Sequence, residues 1–145
     1  MTRVNLGIAP YNLCDQHLIA EHREIKRIPN TLLSGKFNRS NIPSKFTLGT
    51  GHVKFFYNKL TILRNRYTRI YSECLNREFN VTNYMSTFNN AIDMFLHNEV
   101  DYEVTDGDVT LITNRISSKL KSMKENPRFY GKAVSADFMI QKLLT

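Results

Sequence analysis

The sequence predicts an all-α fold in a single domain spanning residues 1–145, and three observations carry that expectation. Apolar residues recur at spacings of three and four over long stretches, the period of one helix face. No segment shows the strict alternation of a half-buried strand. The chain's 145 residues suit one domain that buries about two-thirds of its unfolded surface. Its 41% hydrophobic residues, with 9 Phe and 7 Tyr, are ample for a core.

The first helix is expected over Asp15–Arg27, with Asn12 or Asp15 as cap and Pro10 just outside it. Pro29, Gly35, Pro43, Gly49 and Gly51 then predict a loop from Ile28 to Gly51, a length usually functional or mobile. Val53, Phe56, Leu60, Leu63, Tyr67, Ile70 and Cys74 form one continuous stripe. It predicts a helix of ~25 residues spanning roughly 37 Å. Its exposed side is expected to carry Lys54, Lys59, Arg64, Arg66, Arg69 and Arg77. Thr82 is the expected cap of a shorter helix with Tyr84, Phe88, Ile92 and Phe95 facing inward. An acidic, turn-rich stretch runs from Glu99 to Asp108. A further helix follows from about Asp108 to Glu125, with Val109, Ile112, Ile116, Leu120 and Met123 on one face. Asn126–Thr145 begins with Pro127 and is expected to be irregular before a short amphipathic end.

Lys and Arg number 20 against 13 Asp and Glu, giving +7 and a pI near 9.5. That excess favours a polyanionic partner, nucleic acid first and an anionic membrane surface second. No apolar run is long enough to span a bilayer, and Asn5, Gly7 and Pro10 interrupt any signal-peptide core. Cys14 and Cys74 form no disulfide framework and suit a reducing cytosol, so a cytoplasmic location is expected. The acidic run Glu99, Asp101, Glu103, Asp106 and Asp108 fits no calcium loop. His52 and His97 stand isolated, and no histidine–cysteine grouping matches a zinc site. No metal is therefore expected, and a metal-dependent nuclease is disfavoured. Gly49-Thr50-Gly51 reads either as a plain turn or as main-chain donors for a phosphate.

Two features carry chemistry. Thr2 is a small residue behind Met1, so removal of the initiator leaves its α-amine as the N-terminus. Such an amine has an ordinary pKa of roughly 7.7–8.0, is substantially unprotonated near neutrality, and can form an imine with an electrophilic carbon. On a wheel of the first helix, Gln16, His17, Arg23, Glu24 and Arg27 fall within about a third of the circumference, with Leu18 and Ile25 opposite. One face thus gathers two cations, a carboxylate, an imidazole and an amide.

Four strings carry a resemblance: Met1-Thr2-Arg3-Val4-Asn5-Leu6, Asp15 through Glu24, Leu48 through Tyr57, and Tyr130-Gly131-Lys132-Ala133. In these the chain resembles the phage pyrimidine-dimer DNA glycosylase family, of the T-even endonuclease V type. The resemblance implies a compact, single-layer helical domain with an N-terminal segment threaded between helices. It also implies a glycosylase and abasic-site lyase without metal or cofactor, acting as a monomer on double-stranded DNA containing damaged bases. Its location would be the host cytosol for a phage-encoded chain. By matching position, Thr2 would supply the nucleophilic amine and Glu24 the essential carboxylate. Arg3, Gln16, His17, Arg23 and Arg27 would bind the lesion strand. Beside the match, Lys121, Arg128, Tyr130 and Lys132 become candidate DNA contacts, and the basic run Lys121, Lys124, Arg128 and Lys132 a candidate phosphate track.

Three departures stand out. One extra residue lies between Leu6 and Asp15, and the loop after Arg27 is shorter than the family's. The family's aromatic segment contains a tryptophan, whereas here it reads Pro127-Arg128-Phe129-Tyr130-Gly131-Lys132, followed by an extension from about Ala136 to Thr145. The alternatives are the same chemistry on another modified base, and a non-catalytic basic DNA-binding protein.

Overall fold

In a computed structural model describing residues 1–145, the chain is all-α apart from one small hairpin. Its helices are α1 (Asp15–Ile25), α2 (Arg27–Ser34), α3 (His52–Phe55), α4 (Leu60–Asn76), α5 (Met85–Phe95), α6 (Asp106–Ser122) and α7 (Ala136–Leu143). The hairpin strands are β1 (Arg128–Phe129) and β2 (Lys132–Ala133). No helix is long and apolar enough to cross a membrane. The buried apolar side chains form one core cluster that includes Val4, Leu18, Phe56, Tyr67, Ile112 and Met139. Val4, Leu6 and Ile8 belong to that cluster, so the N-terminal segment runs through the interior.

Helix α1 starts from Cys14, whose side chain makes no cap bond, and neither expected capping residue caps it. Asp15 lies inside the first turn, where its carboxylate favours the helix N-terminus and receives Arg77 Nη1 at 2.9 Å. The loop expected from Ile28 is replaced at its start by α2, which buries Ile28, Pro29 and Leu32. Proline is tolerated there because the first turn's N–H groups have no intrahelical acceptor. Gly35 closes α2 in the left-handed conformation (φ 75°), which a residue with a Cβ adopts at a cost.

The single long helix is corrected to α3, a 3-10 turn over Phe56–Asn58, and α4. The break falls at Lys59 (φ −133°), whose buried ammonium donates to the Phe55 carbonyl at 3.0 Å and Asn58 Oδ1 at 2.8 Å. Glu99 then caps the new N-terminus, accepting the Leu60 N–H at 3.0 Å and the Thr61 N–H at 3.4 Å. The predicted stripe is buried as expected, Val53 only partly. The basic face is not as expected: Lys59, Arg66 and Arg77 are buried and structural. Arg66 pairs with Glu21, and Arg77 with Asp15 and Glu73.

Thr82 is exposed and does not cap α5; Asn83 Oδ1 accepts the Met85 N–H at 2.9 Å instead. Helix α6 begins two residues before the expected start, in a reciprocal capping box between Thr105 and Asp108, both bonds 3.1 Å. The C-terminal stretch is more regular than expected. Strands β1 and β2 pair antiparallel, Arg128 with Ala133 and Phe129 with Lys132, around Tyr130 (φ 51°) and Gly131 (φ 81°). Positive φ at both central residues matches the right-handed twist of a hairpin. Helix α7 forms the amphipathic end, capped by Ser135 and burying Met139.

Candidate active site

The site is organised by the main chain of residues 3–5. Glu24 Oε1 accepts the Arg3 N–H at 3.1 Å, and its carboxylate also receives the Arg3 guanidinium at 3.3 Å and 3.0 Å. His52 Nε2 accepts the Val4 N–H at 3.0 Å. Glu21 Oε2 accepts the Asn5 N–H at 3.1 Å, while its Oε1 takes Asn5 Nδ2 at 2.8 Å. Three successive main-chain donors thus end on three side chains. The Thr2 nitrogen, one residue upstream, takes part in none of these bonds.

Glu24 is 3% exposed. Burial alone pushes a carboxyl up, but the hydrogen bonds and charge of Arg3, with Arg27 adding, hold it below the usual value. It is therefore ionised at neutral pH, suited to stabilising positive charge and unsuited to delivering a proton. Arg23 adds an exposed cation 3.8 Å away. Glu21, 1% exposed, is neutralised by Arg66, which donates at 2.8 Å and 3.0 Å and also reaches the Ile8 carbonyl. Arg115 of α6 donates to Asn5 Oδ1 at 2.8 Å.

Above this network a pocket opens between α1 and α6. His17, Glu21 and Glu24 line one wall, Arg115 and Lys119 another, and Arg3 and Asn5 the floor. Burial, and then the Arg3 charge, lower the His17 pKa to about 4. Its ring is neutral at physiological pH and offers hydrogen bonds rather than charge.

Of the residues the sequence nominates, Arg3, His17 and Glu24 come together at the pocket, with Arg23 and Arg27 exposed beside it. Thr2 is half-buried behind an exposed Met1, whose carbonyl accepts Arg27 Nη1 at 3.3 Å. Gln16 turns away: its amide holds the hairpin, donating to the Asn126 carbonyl at 3.2 Å and accepting the Arg128 N–H at 2.9 Å. Lys121 is exposed at the end of α6 and is not part of the pocket. Arg128, Tyr130 and Lys132 sit on the hairpin, which Asp15 seats on the start of α1 by accepting the Tyr130 and Gly131 N–H groups at 3.1 Å and 2.9 Å. Tyr130 covers the Arg77 guanidinium, 4.4 Å from its ring centre, and donates to Glu73 at 2.6 Å.

Sequence reasoning missed Asn5, Glu21, His52, Arg66, Arg115 and Lys119. Two signals were available. His17, Glu21 and Glu24 are spaced i, i+4, i+7, so Glu21 shares the face already singled out. Arg115 and Lys119 have the same i, i+4 relation on α6.

The all-helical fold thus seats its own N-terminal main chain against a buried, ionised carboxylate, in a pocket that carries both carboxylates and cations. A family model described as pyrimidine dimer DNA glycosylase matches residues 1–87, and the chain belongs to that family. It is a DNA glycosylase acting on DNA that contains pyrimidine dimers. The match takes in the N-terminal segment, α1 to α4 and the first residues of α5, while Arg115, Lys119 and the hairpin lie beyond it.

Proposed function

We propose that the protein is a combined N-glycosylase and abasic-site lyase, excising ultraviolet-induced cyclobutane pyrimidine dimers through the α-amine of Thr2 after loss of Met1. The observation that supports this most is the bond from the Arg3 N–H to Glu24, which ties the residue next to Thr2 to an ionised carboxylate. The unprotonated amine attacks the anomeric carbon, and the bond to the base breaks as positive charge builds on the ring oxygen. Glu24 stabilises that charge. The departing base takes one proton of the attacking amine and the ring oxygen the other as the ring opens, leaving an imine between the amine and the sugar. Loss of a proton from the adjacent sugar carbon then expels the 3′ phosphate and nicks the strand. Arg3 and Arg23 pair with Glu24, and Arg27 adds a further cation beside the N-terminal segment. Arg3, Arg23 and Arg27, with His17, contact the lesion strand; Gln16 serves through the hairpin that it holds, and Lys121, Arg128, Tyr130 and Lys132 track the flanking duplex. The chemistry uses no metal or organic cofactor, and the enzyme acts as a monomer. The hairpin segment, with Phe129 and Tyr130 and no tryptophan, permits a second substrate of the same chemistry, another modified pyrimidine.

Borohydride trapping on a dimer-containing duplex, with chelator present, tests the reading. The adduct should map to the Thr2 nitrogen. Retaining Met1 moves the terminal amine by about 3.3–3.8 Å along the chain. Misplacement by ~1 Å already costs ~100-fold in a positioned reaction, so Met1-retaining protein should lose at least that much. N-acetylated protein should be inert, whereas Thr2→Ser and Thr2→Ala should stay active. An adduct on a lysine, or undiminished turnover by acetylated protein, would overturn the mechanism.

A further inference from the structure

Resting on the reading that the Thr2 amine is the nucleophile, we infer that His52 is a positioning residue, setting the reach of the N-terminal segment through one hydrogen bond to the Val4 main chain. Helix α1 holds residues 3 and 5 through Glu24 and Glu21. The residue between them is held from a different element, by His52 of α3. Two carboxylates on one helix fix the segment against that helix. The third bond ties the main chain of residues 3–5 to a second element, as Arg115 ties the Asn5 side chain to α6.

The imidazole is built for this task. It is 2% exposed and wedged edge-on between Phe46 and Phe56, with ring centres 5.5 Å and 5.4 Å away. Its Nδ1 lies 2.8 Å from the Thr47 carbonyl and must donate there, which leaves Nε2 as the acceptor for Val4. The turn after Phe46 thus selects the tautomer, and the tautomer holds the segment. Val4 is fully buried, so no water replaces a lost acceptor. His52 is absent from the pocket lining and acts on the reaction only through two residues of main chain.

The test uses the mature full-length protein carrying His52→Gln or His52→Asn. A glutamine amide reaches the Nε2 position and accepts the Val4 N–H while giving up Thr47. An asparagine amide reaches the Nδ1 position, keeps the Thr47 bond and leaves Val4 without an acceptor. Single-turnover base release at saturating dimer duplex should fall ~10- to 100-fold in His52→Asn, the loss expected of a displacement approaching ~1 Å. DNA affinity should be unchanged and the borohydride adduct should stay on Thr2. His52→Gln should retain most of the rate, and amide exchange at Val4 should quicken in His52→Asn alone. Should His52→Asn fail to fold, His52→Phe takes its place, keeping the ring's shape and lacking the acceptor, with the same loss expected. Equal rates in the acceptor-keeping and acceptor-lacking variants would overturn the role of His52, as would a rate loss matched by weaker DNA binding. An adduct on a lysine in the unsubstituted protein would instead overturn the Thr2 assignment, so the two failures are distinguishable.

Discussion

Glu24 serves two ends with one carboxylate: it binds the main chain beside Thr2, and it keeps a negative charge where the proposed reaction develops a positive one. Glu24→Gln separates them. The amide oxygen can still accept the Arg3 N–H, so fold and DNA binding should survive. A neutral group cannot stabilise the cation, and base release should fall by ~100- to 1,000-fold, the loss typical of removing one electrostatic partner of a transition state. Cleavage of a pre-formed abasic site, which skips the glycosylic step, should suffer less. The sign of the pH dependence follows from the same carboxylate. Glu24 is held below its ordinary value, so it stays ionised as pH falls through neutrality. The acid limb of the rate should therefore report the amine, which must be unprotonated to attack, and should persist in Glu24→Gln with its midpoint moved lower, because losing a neighbouring negative charge disfavours the protonated amine. Full base release in that variant, measured in single turnover, would remove Glu24 from the chemistry.

At the scale of elements, what was legible in the sequence was whatever apolar spacing controls. The stripe of α4 is buried, those of α5 and α6 are buried at Phe88, Ile92, Ile112, Ile116 and Leu120 and half-buried at their ends, and Leu18 and Ile25 face the core opposite the charged side of α1. Features set by a single polar side chain were not legible. The break at Lys59 interrupts no stripe, because Phe55 and Phe56 on one side and Leu60 on the other continue it. Helix α2 was hidden by Pro29, and the hairpin strands are too short to alternate. In the site, Glu24 and Arg3 were legible from their motif. His52 was not, because its partner is a main-chain N–H, a donor every residue but proline possesses. The hairpin's seating on Asp15 gives an element-scale prediction. Asp15→Asn places an amide where Arg77 and two N–H groups all donate, so at least one donor is left without its acceptor. Arg77 keeps Glu73, which limits the loss of stability to about 2–3 kcal/mol. Amide exchange at Tyr130 and Gly131 should quicken before the helices respond. Exchange there unchanged from the parent would mean that something other than Asp15 seats the hairpin.

For the whole molecule, net charge and available charge differ. Three of the 20 cations, Lys59, Arg66 and Arg77, are buried, and so are four of the 13 carboxylates, Asp15, Glu21, Glu24 and Asp108. Burial therefore leaves the surface slightly more basic than the formal +7. Those buried groups hold the N-terminal segment, the helix starts and the hairpin, while Arg23, Arg27, Lys119, Lys121, Arg128 and Lys132 remain exposed, available for the DNA contacts proposed above. Each phosphate they neutralise releases counterions, contributing about −0.9 to the slope of log affinity against log salt. Binding to undamaged duplex should thus weaken steeply with salt, and removing Lys121 or Lys132 should flatten the slope by about that increment for each phosphate no longer neutralised. Neither replacement touches Glu24 or the main-chain clamp, so base release at saturating duplex should hold its rate while the apparent affinity falls. Removing Arg66 should do the reverse. Its charge is 2% exposed and bound to Glu21, so it meets no phosphate. Arg66→Met should leave the salt slope intact, because the exposed cations are unchanged, yet lower stability and slow base release by loosening the Asn5 clamp. Titrations over a salt series with these variants decide the matter. A slope that falls in Arg66→Met, or stays fixed when Lys121 and Lys132 are both replaced, would contradict this division between interior and surface charge.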